Sequence, residues 1–190
     1  QTKVYKPSEF HRQNANPIGN QTHFIAGDKD GNVFFDSDQS LIRYDIQTQK
    51  FSCLRKSNVY TVASIKGTIW VGIADSILTW NPDKNDFDFV TRLENRNQRA
   101  TCLLEDSGGR YWIGTTDGLF KMNDDKSLTC MIMGEDIYDL YEDSKYNLWI
   151  SIRMNGMYKR DVHGNFTRYR YDPSNPNNIS SNQVRDFVED

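Results

Sequence analysis

The chain has 190 residues, a length that suits one domain, and its 26% charged residues and formal net charge of −3 leave no basic stripe for nucleic acid. No run of about 18 apolar residues is present to cross a membrane as a helix. Gln1 stands where an initiator Met would be and no signal-like apolar stretch follows it, so the expectation is a start from which any targeting segment has been removed.

Residues 1–21 carry no clear pattern, although Val4 and Phe10 would suit the outer strand of a preceding unit. From residue 22 one phrase recurs: an acidic or turn pair, a tight turn, a strand centred on an aromatic, then a glycine and a second strand. The first copy is Gly27-Asp-Lys-Asp-Gly-Asn-Val-Phe-Phe35, and the second is Ile65-Lys-Gly-Thr-Ile-Trp-Val-Gly72, two residues shorter in its turn. The third runs from Leu104-Glu-Asp-Ser-Gly-Gly-Arg-Tyr-Trp112 to Phe120, the fourth from Tyr141-Glu-Asp-Ser-Lys-Tyr-Asn-Leu-Trp149 to Tyr158. A fifth begins at Ile179 and stops at its acidic pair, Glu189-Asp190. The central aromatics Phe34, Trp70, Trp112 and Trp149 lie 36, 42 and 37 residues apart, the period of β-propeller blades.

Each copy reads as four antiparallel strands. The inner strands, Val59–Ala63 and Ile137–Tyr141, alternate apolar and polar residues, as one buried face requires. Asp30-Gly31 and Gly108-Gly109 offer the positive φ of tight hairpins. The aromatic strand follows, then a loop ending in Gly118 or Gly156, a third strand, and an outer strand carrying Phe51, Phe87 with Phe89, or Phe166 with Tyr169. The expected fold is all-β: about four four-stranded blades of a larger, seven-bladed propeller. Its expected boundaries are 22–57, 58–98, 99–135 and 136–178, with 179–190 as the first strand of a truncated next blade.

Few residues suggest chemistry. Cys53, Cys102 and Cys130 have no CxxC spacing, and Cys102 reads as a buried thiol behaving as a small hydrophobe. His11, His23 and His163 have no metal-ligand spacing. Asp28-Lys-Asp-Gly-Asn32 opens like a calcium loop but has Gly31 at the fourth position and Gln39 at the twelfth, so a hairpin turn is the better reading. The sequons at Asn20, Asn165 and Asn178 are of the kind an Asn-rich chain produces by chance. No metal or cofactor is expected. The Glu-Asp pairs repeat at blade turns and so read as structural rather than as one unique acid–base pair. Asp106-Ser-Gly-Gly-Arg-Tyr-Trp112 is similar to the Asp-box turns of sialidase propellers, with a spacing one residue longer. Loops between second and third strands face the channel in propellers. There Thr116, Asp117, Arg153 and Asn155 could hydrogen-bond sugar hydroxyls, or could simply complete turns beside Gly118 and Gly156. No aromatic platform for a sugar ring stands in those loops.

The third and fourth copies, and the junction Tyr171-Asp-Pro-Ser-Asn-Pro-Asn-Asn-Ile-Ser-Ser-Asn-Gln-Val-Arg-Asp-Phe-Val-Glu-Asp190, resemble the two-component regulator propeller repeat. Phe34 in place of Trp, and Asp75-Ser-Ile-Leu78 in place of Asp-Gly-Leu, depart from it. The resemblance implies a fragment of the periplasmic sensor half of a hybrid two-component system of Bacteroides-type bacteria. The parent would be membrane-anchored, its histidine kinase, receiver and DNA-binding module lying outside this chain. It further implies an oligosaccharide stimulus and transcriptional output, with no catalysis by this segment. The alternatives are a scaffold that supplies dimer contact without a ligand, and a propeller glycosidase. Open sheet edges lead us to expect self-association.

Overall fold

A computed structural model of the chain describes residues 22–190 apart from Asp38 and Pro176; the expectations for Val4, Phe10, His11 and Asn20 fall outside the described residues. Sixteen strands and no helix occur among the described residues. They are β1 (Ile25–Gly27), β2 (Val33–Ser37), β3 (Ser40–Asp45), β4 (Lys50–Arg55), β5 (Val59–Ile65), β6 (Thr68–Ile73), β7 (Ser76–Asn81) and β8 (Asp86–Arg92). The second half continues with β9 (Ala100–Glu105), β10 (Tyr111–Thr115), β11 (Gly118–Met122), β12 (Leu128–Met133), β13 (Ile137–Glu142), β14 (Leu148–Ile152), β15 (Met157–Arg160) and β16 (Phe166–Tyr169). They form four separate sheets, each a four-stranded meander in chain order. These are the four expected blades.

Short turns make the meanders. In one recurring form an Asp side chain accepts the amide of the residue four places on: Asp28 from Asn32 at 2.8 Å, Asp106 from Arg110 at 2.9 Å, Asp143 from Asn147 at 2.8 Å and Asp161 from Asn165 at 2.8 Å. The residue before that amide adopts a left-handed φ. It is a glycine in three of these turns, but Tyr146 with φ 64° in the fourth. The shorter turn of the second copy places Lys66 and Gly67 at φ 49° and 75°, a two-residue hairpin with both central residues left-handed.

The chain divides into two compact units, one comprising Gln1–Ala74 with Leu78–Phe89, the other Asp75–Ile77 with Val90–Asp190. In the first unit Phe34 and Leu41 pack with Val59, Val62, Ile69, Val71 and Trp80. In the second, Trp112 and Leu119 pack with Ile137, Leu140, Leu148, Ile150 and Ile152. Each cluster draws on two sheets, so a blade buries its apolar face against the next blade. At roughly 2–3 kcal/mol per fully buried large side chain, this packing is the main stabilising term.

Strict alternation does not hold along the inner strands. In β13 the register slips between Ile137 and Asp139, so Tyr138 leaves the ladder and Ile137 and Leu140, three residues apart, are both buried. The same slip removes Tyr60 from the β5–β6 ladder and Thr101 from the β9–β10 ladder. A β-bulge re-aims the extra residue and shifts the face of those before it. The segment 179–190 forms no strand. Its phrase Val184–Asp190 matches Ile137–Asp143, but among the described residues no strand pairs with it to build a ladder.

Candidate functional site

The acidic pairs are built into the repeat. Asp106 is almost fully buried; besides its own turn amide, it accepts the Trp112 indole N–H at 2.8 Å and Arg110 Nε at 2.6 Å. Burial alone would raise its pKa, but those donors outweigh it and hold the carboxyl below its ordinary value. Asp143 repeats the pattern with Trp149 at 2.8 Å, and its pKa is lowered for the same balance of reasons. In the first copy Phe34 has no N–H to offer Asp28, which binds the Asn32 side chain instead at 2.8 Å. In two of the pairs the Glu serves the turn of the preceding copy. Glu142 accepts both the amide and the hydroxyl of Ser107, at 2.7 and 2.9 Å. Glu189 accepts those of Ser144, at 2.8 and 2.6 Å. Phe187 stacks on Tyr141 with ring centroids 6.2 Å apart. The tail thus lies on the fourth blade in the place of a following inner strand.

The repeat anchors are not equally enclosed. Phe34, Trp70 and Trp112 are buried, whereas Trp149 is half-buried and packs with Tyr169 and Phe187. Gly118 and Gly156 have a backbone reason: a Cβ at Gly118 would collide with the Ile132 carbonyl oxygen, and one at Gly156 with that of Tyr169. Both glycines let the third strand approach the fourth.

Four candidate residues converge on one end of the second unit, on either side of the connector Gly134–Asp136. Gly134 N donates to the Asp117 carbonyl at 2.9 Å. On the other side, Arg153 Nε donates to Asp136 at 2.7 Å and Asn155 Nδ2 to Glu135 at 2.7 Å. Glu135 also takes Arg168 Nη2 at 2.9 Å. The Arg153 guanidinium lies 4.8 Å above the Tyr138 ring, and that of Arg168 lies 5.0 Å above Tyr158. Thr116 accepts the Arg99 amide at 3.2 Å, and Gln98 reaches the Asp117 carboxylate at 3.4 Å. Each of the four therefore has a partner inside the protein, as turn chemistry requires, while Thr116, Asp117 and Arg153 remain exposed. Two of the surrounding residues, Met133 and Met154, are exposed apolar side chains, and Met154 holds a left-handed φ of 56°.

Sequence reasoning missed Tyr138, Glu135, Asp136 and Arg168. Tyr138 stands on an inner strand, so a survey of loops passes over it; the bulge that turns it outward has no signature in the residue pattern. The acidic pair beside Gly134 was visible, but its arginine partners lie 17 to 33 residues away.

The remaining candidates are structural. Asp28 spends its oxygens on Asp30, Asn32 and the turn. His23 pairs with buried Asp36 at 2.9 Å, and the His163 amide donates to Asp161. All three cysteines are free, and burial pushes the Cys102 thiol up to about 12. No group of three or more metal-ligating side chains occurs among the described residues.

Sheets of this kind, repeated at this period and packed face to face, are β-propeller blades. Residues 96–117, which include the Asp106–Trp112 turn, match the family described as Two component regulator propeller. No curated protein matches the chain in sequence. Among solved structures, the chain is similar to the extracellular domain of the hybrid two component system BT4673 from B. thetaiotaomicron, with a TM-score of 0.74 and 19% identity over 90% of this chain and 25% of that one. The corresponding domain of BT3049 from the same organism gives a TM-score of 0.74 and 20% identity over 93% and 25%. Virginiamycin B lyase from Staphylococcus aureus gives 0.65 and 16% identity over 82% and 58%. The chain thus spans a quarter of the length of the two sensor domains, and the same fold also carries an enzyme.

Proposed function

We propose that the chain is part of the extracytoplasmic, periplasmic sensor region of a membrane-anchored hybrid two-component system and that its stimulus is an oligosaccharide. The observation that carries this reading is the regulator propeller repeat at 96–117, set in blades that resemble two such sensor domains. The chain itself acts without catalysis: its repeated carboxylates are spent on turns, indoles and neighbouring serines, which leaves them poorly placed as acid and base. Ligand would bind through Thr116, Asp117, Arg153 and Asn155, and would act by favouring one arrangement of the sensor halves over another. A thermal-shift screen against plant and host oligosaccharides tests this. A ligand that binds the native state raises the melting temperature by mass action. A selective rise with one glycan supports the reading, and hydrolysis of any glycan that is lost with one carboxylate would replace it by a glycosidase.

A second reading, a spacer that supplies subunit contact and binds nothing, is favoured by the internal partners of all four candidate side chains. A flat response to every glycan, together with a stable dimer in sedimentation, would select it.

A further inference from the structure

We propose that Asn155 is a site of spontaneous covalent change, through a succinimide formed with Gly156, and that contacts from Glu135 and Asn182 hold the reaction in check. This stands independently of the glycan reading. Asn155 is the one asparagine of the chain that is followed by glycine. At such a step no Cβ shields the next amide nitrogen, and the backbone is free to bring that nitrogen onto the side-chain carbonyl. The Gly156 nitrogen, having lost its proton to solvent base, bonds to Asn155 Cγ. The Cγ–Nδ2 bond breaks, and the nitrogen leaves as ammonia with a proton taken from water. Water then opens the ring at either carbonyl, which gives aspartate or, with the backbone lengthened by one carbon, isoaspartate. Nothing is oxidised or reduced, and water is the co-reactant.

The fold occupies both reacting groups. Gly156 N, the nucleophile, donates to the Asn182 carbonyl at 3.0 Å, and Asn155 Nδ2, the leaving group, donates to Glu135 at 2.7 Å. The backbone around them is tied as well: the Asn155 amide donates to the Ile152 carbonyl at 3.2 Å, and the Gly156 carbonyl accepts the Ile152 amide at 2.9 Å. Asn182 is itself positioned by its side-chain oxygen, which accepts the Tyr171 amide at 2.7 Å. Ring closure needs the Asn155 side chain to swing onto the Gly156 nitrogen, which breaks the Glu135 and Asn182 bonds together. The reaction therefore runs from a locally opened state, and the small population of that state sets its rate.

The glycine is fixed by packing, since a Cβ at 156 would collide with the Tyr169 carbonyl oxygen. The third blade shows what the product would need. There the residue before the corresponding glycine is Asp117, whose carboxylate takes the Gln98 side-chain amide at 3.4 Å. The Asn155 side chain instead meets the Glu135 carboxylate, whose other oxygen takes Arg168. A carboxylate at 155 has no N–H to give Glu135, so the bond is lost and two carboxylates face each other. The product thus opposes the contacts that delayed it, and the change runs one way.

The test is to incubate the 190-residue chain and the free peptide Arg153–Lys159 at mildly alkaline pH and to follow Asn155 by peptide mass spectrometry that resolves aspartate from isoaspartate. We expect conversion in both, at least about tenfold slower in the folded chain. Asn182→Ala, which loosens the segment holding Gly156 N, and Glu135→Ala, which frees Nδ2, should each speed it by about threefold to tenfold, as loss of one hydrogen bond allows. Circular dichroism confirms the fold of both variants, and hydrogen exchange at the Gly156 amide should quicken in step with conversion. Asn155→Asp, which places the product directly, should quicken the same exchange. Conversion of the folded chain at the peptide rate overturns the restraint. Faster exchange in the two alanine variants without faster conversion overturns the role of the contacts. Unchanged exchange in Asn155→Asp overturns the one-way character, and an Asn155 that stays intact in chain and variants while the peptide converts overturns the site.

Discussion

A carboxylate that has three donors is worth more to this protein than one that has a single backbone amide, and buried Asp106 and half-buried Asp139 show the two cases. Asp106 binds its turn amide, the Trp112 indole and Arg110. Asp106→Ala would leave the indole N–H buried without a partner, so urea unfolding should show a loss of about 2–3 kcal/mol. Asp139, in β13, has its pKa raised by burial first, relieved in part by the Leu140 amide and increased again by Asp186. It stands in register with Ser151, whose buried hydroxyl has no partner. Because its folded pKa lies above the unfolded one, the native state holds the extra proton, and its charge destabilises the fold as pH rises through the folded value. Asp139→Asn should therefore raise the melting temperature at neutral pH, and the gain should vanish below the unfolded carboxylate pKa. Backbone demands act in the same residue-by-residue way. Gly156→Ala would drive a methyl into the Tyr169 carbonyl and should cost at least about 2 kcal/mol, whereas Tyr146→Gly relieves a left-handed tyrosine and should gain about 0.5 kcal/mol, both read from chemical denaturation.

At the scale of elements, the clasp between one blade's acidic pair and the preceding blade's turn is the informative unit. A double-mutant cycle on Ser107→Ala and Glu142→Gln should give a coupling of about 1 kcal/mol in unfolding experiments, against near zero for either residue with a distant surface partner. Much of this level could be read beforehand. The aromatic period named the blades, and the Asp six residues before Trp112 and Trp149 is in the sequence, although only the structure shows the indole bonded to it. The glycines before the third strands were visible as anchors, but the carbonyl each one makes room for was not. What stayed hidden was register. A one-residue slip at Tyr60, Thr101 or Tyr138 leaves composition and period intact while reversing which side chains face inward. The candidate site was half legible for that reason: the loop residues were named, while the aromatic beside them was not.

For the whole molecule, the segment 184–190, which belongs to none of the four sheets, and its almost fully exposed Val188 are open to pairing with other chains. We expect the isolated chain to self-associate as its concentration rises; sedimentation velocity showing one monomeric species throughout would refute this. The clasps carry a different consequence. Glu142 reads Ser107, and Glu189 reads Ser144, so the third, fourth and fifth copies are joined in succession by the same contact. Such a rule is indifferent to how many copies stand before or behind. A duplication or deletion in the gene that spans one acidic pair to the next therefore creates no mismatched joint: the newcomer finds a serine waiting and presents one in turn. Length in this array is free to drift under selection while its local chemistry stays unchanged.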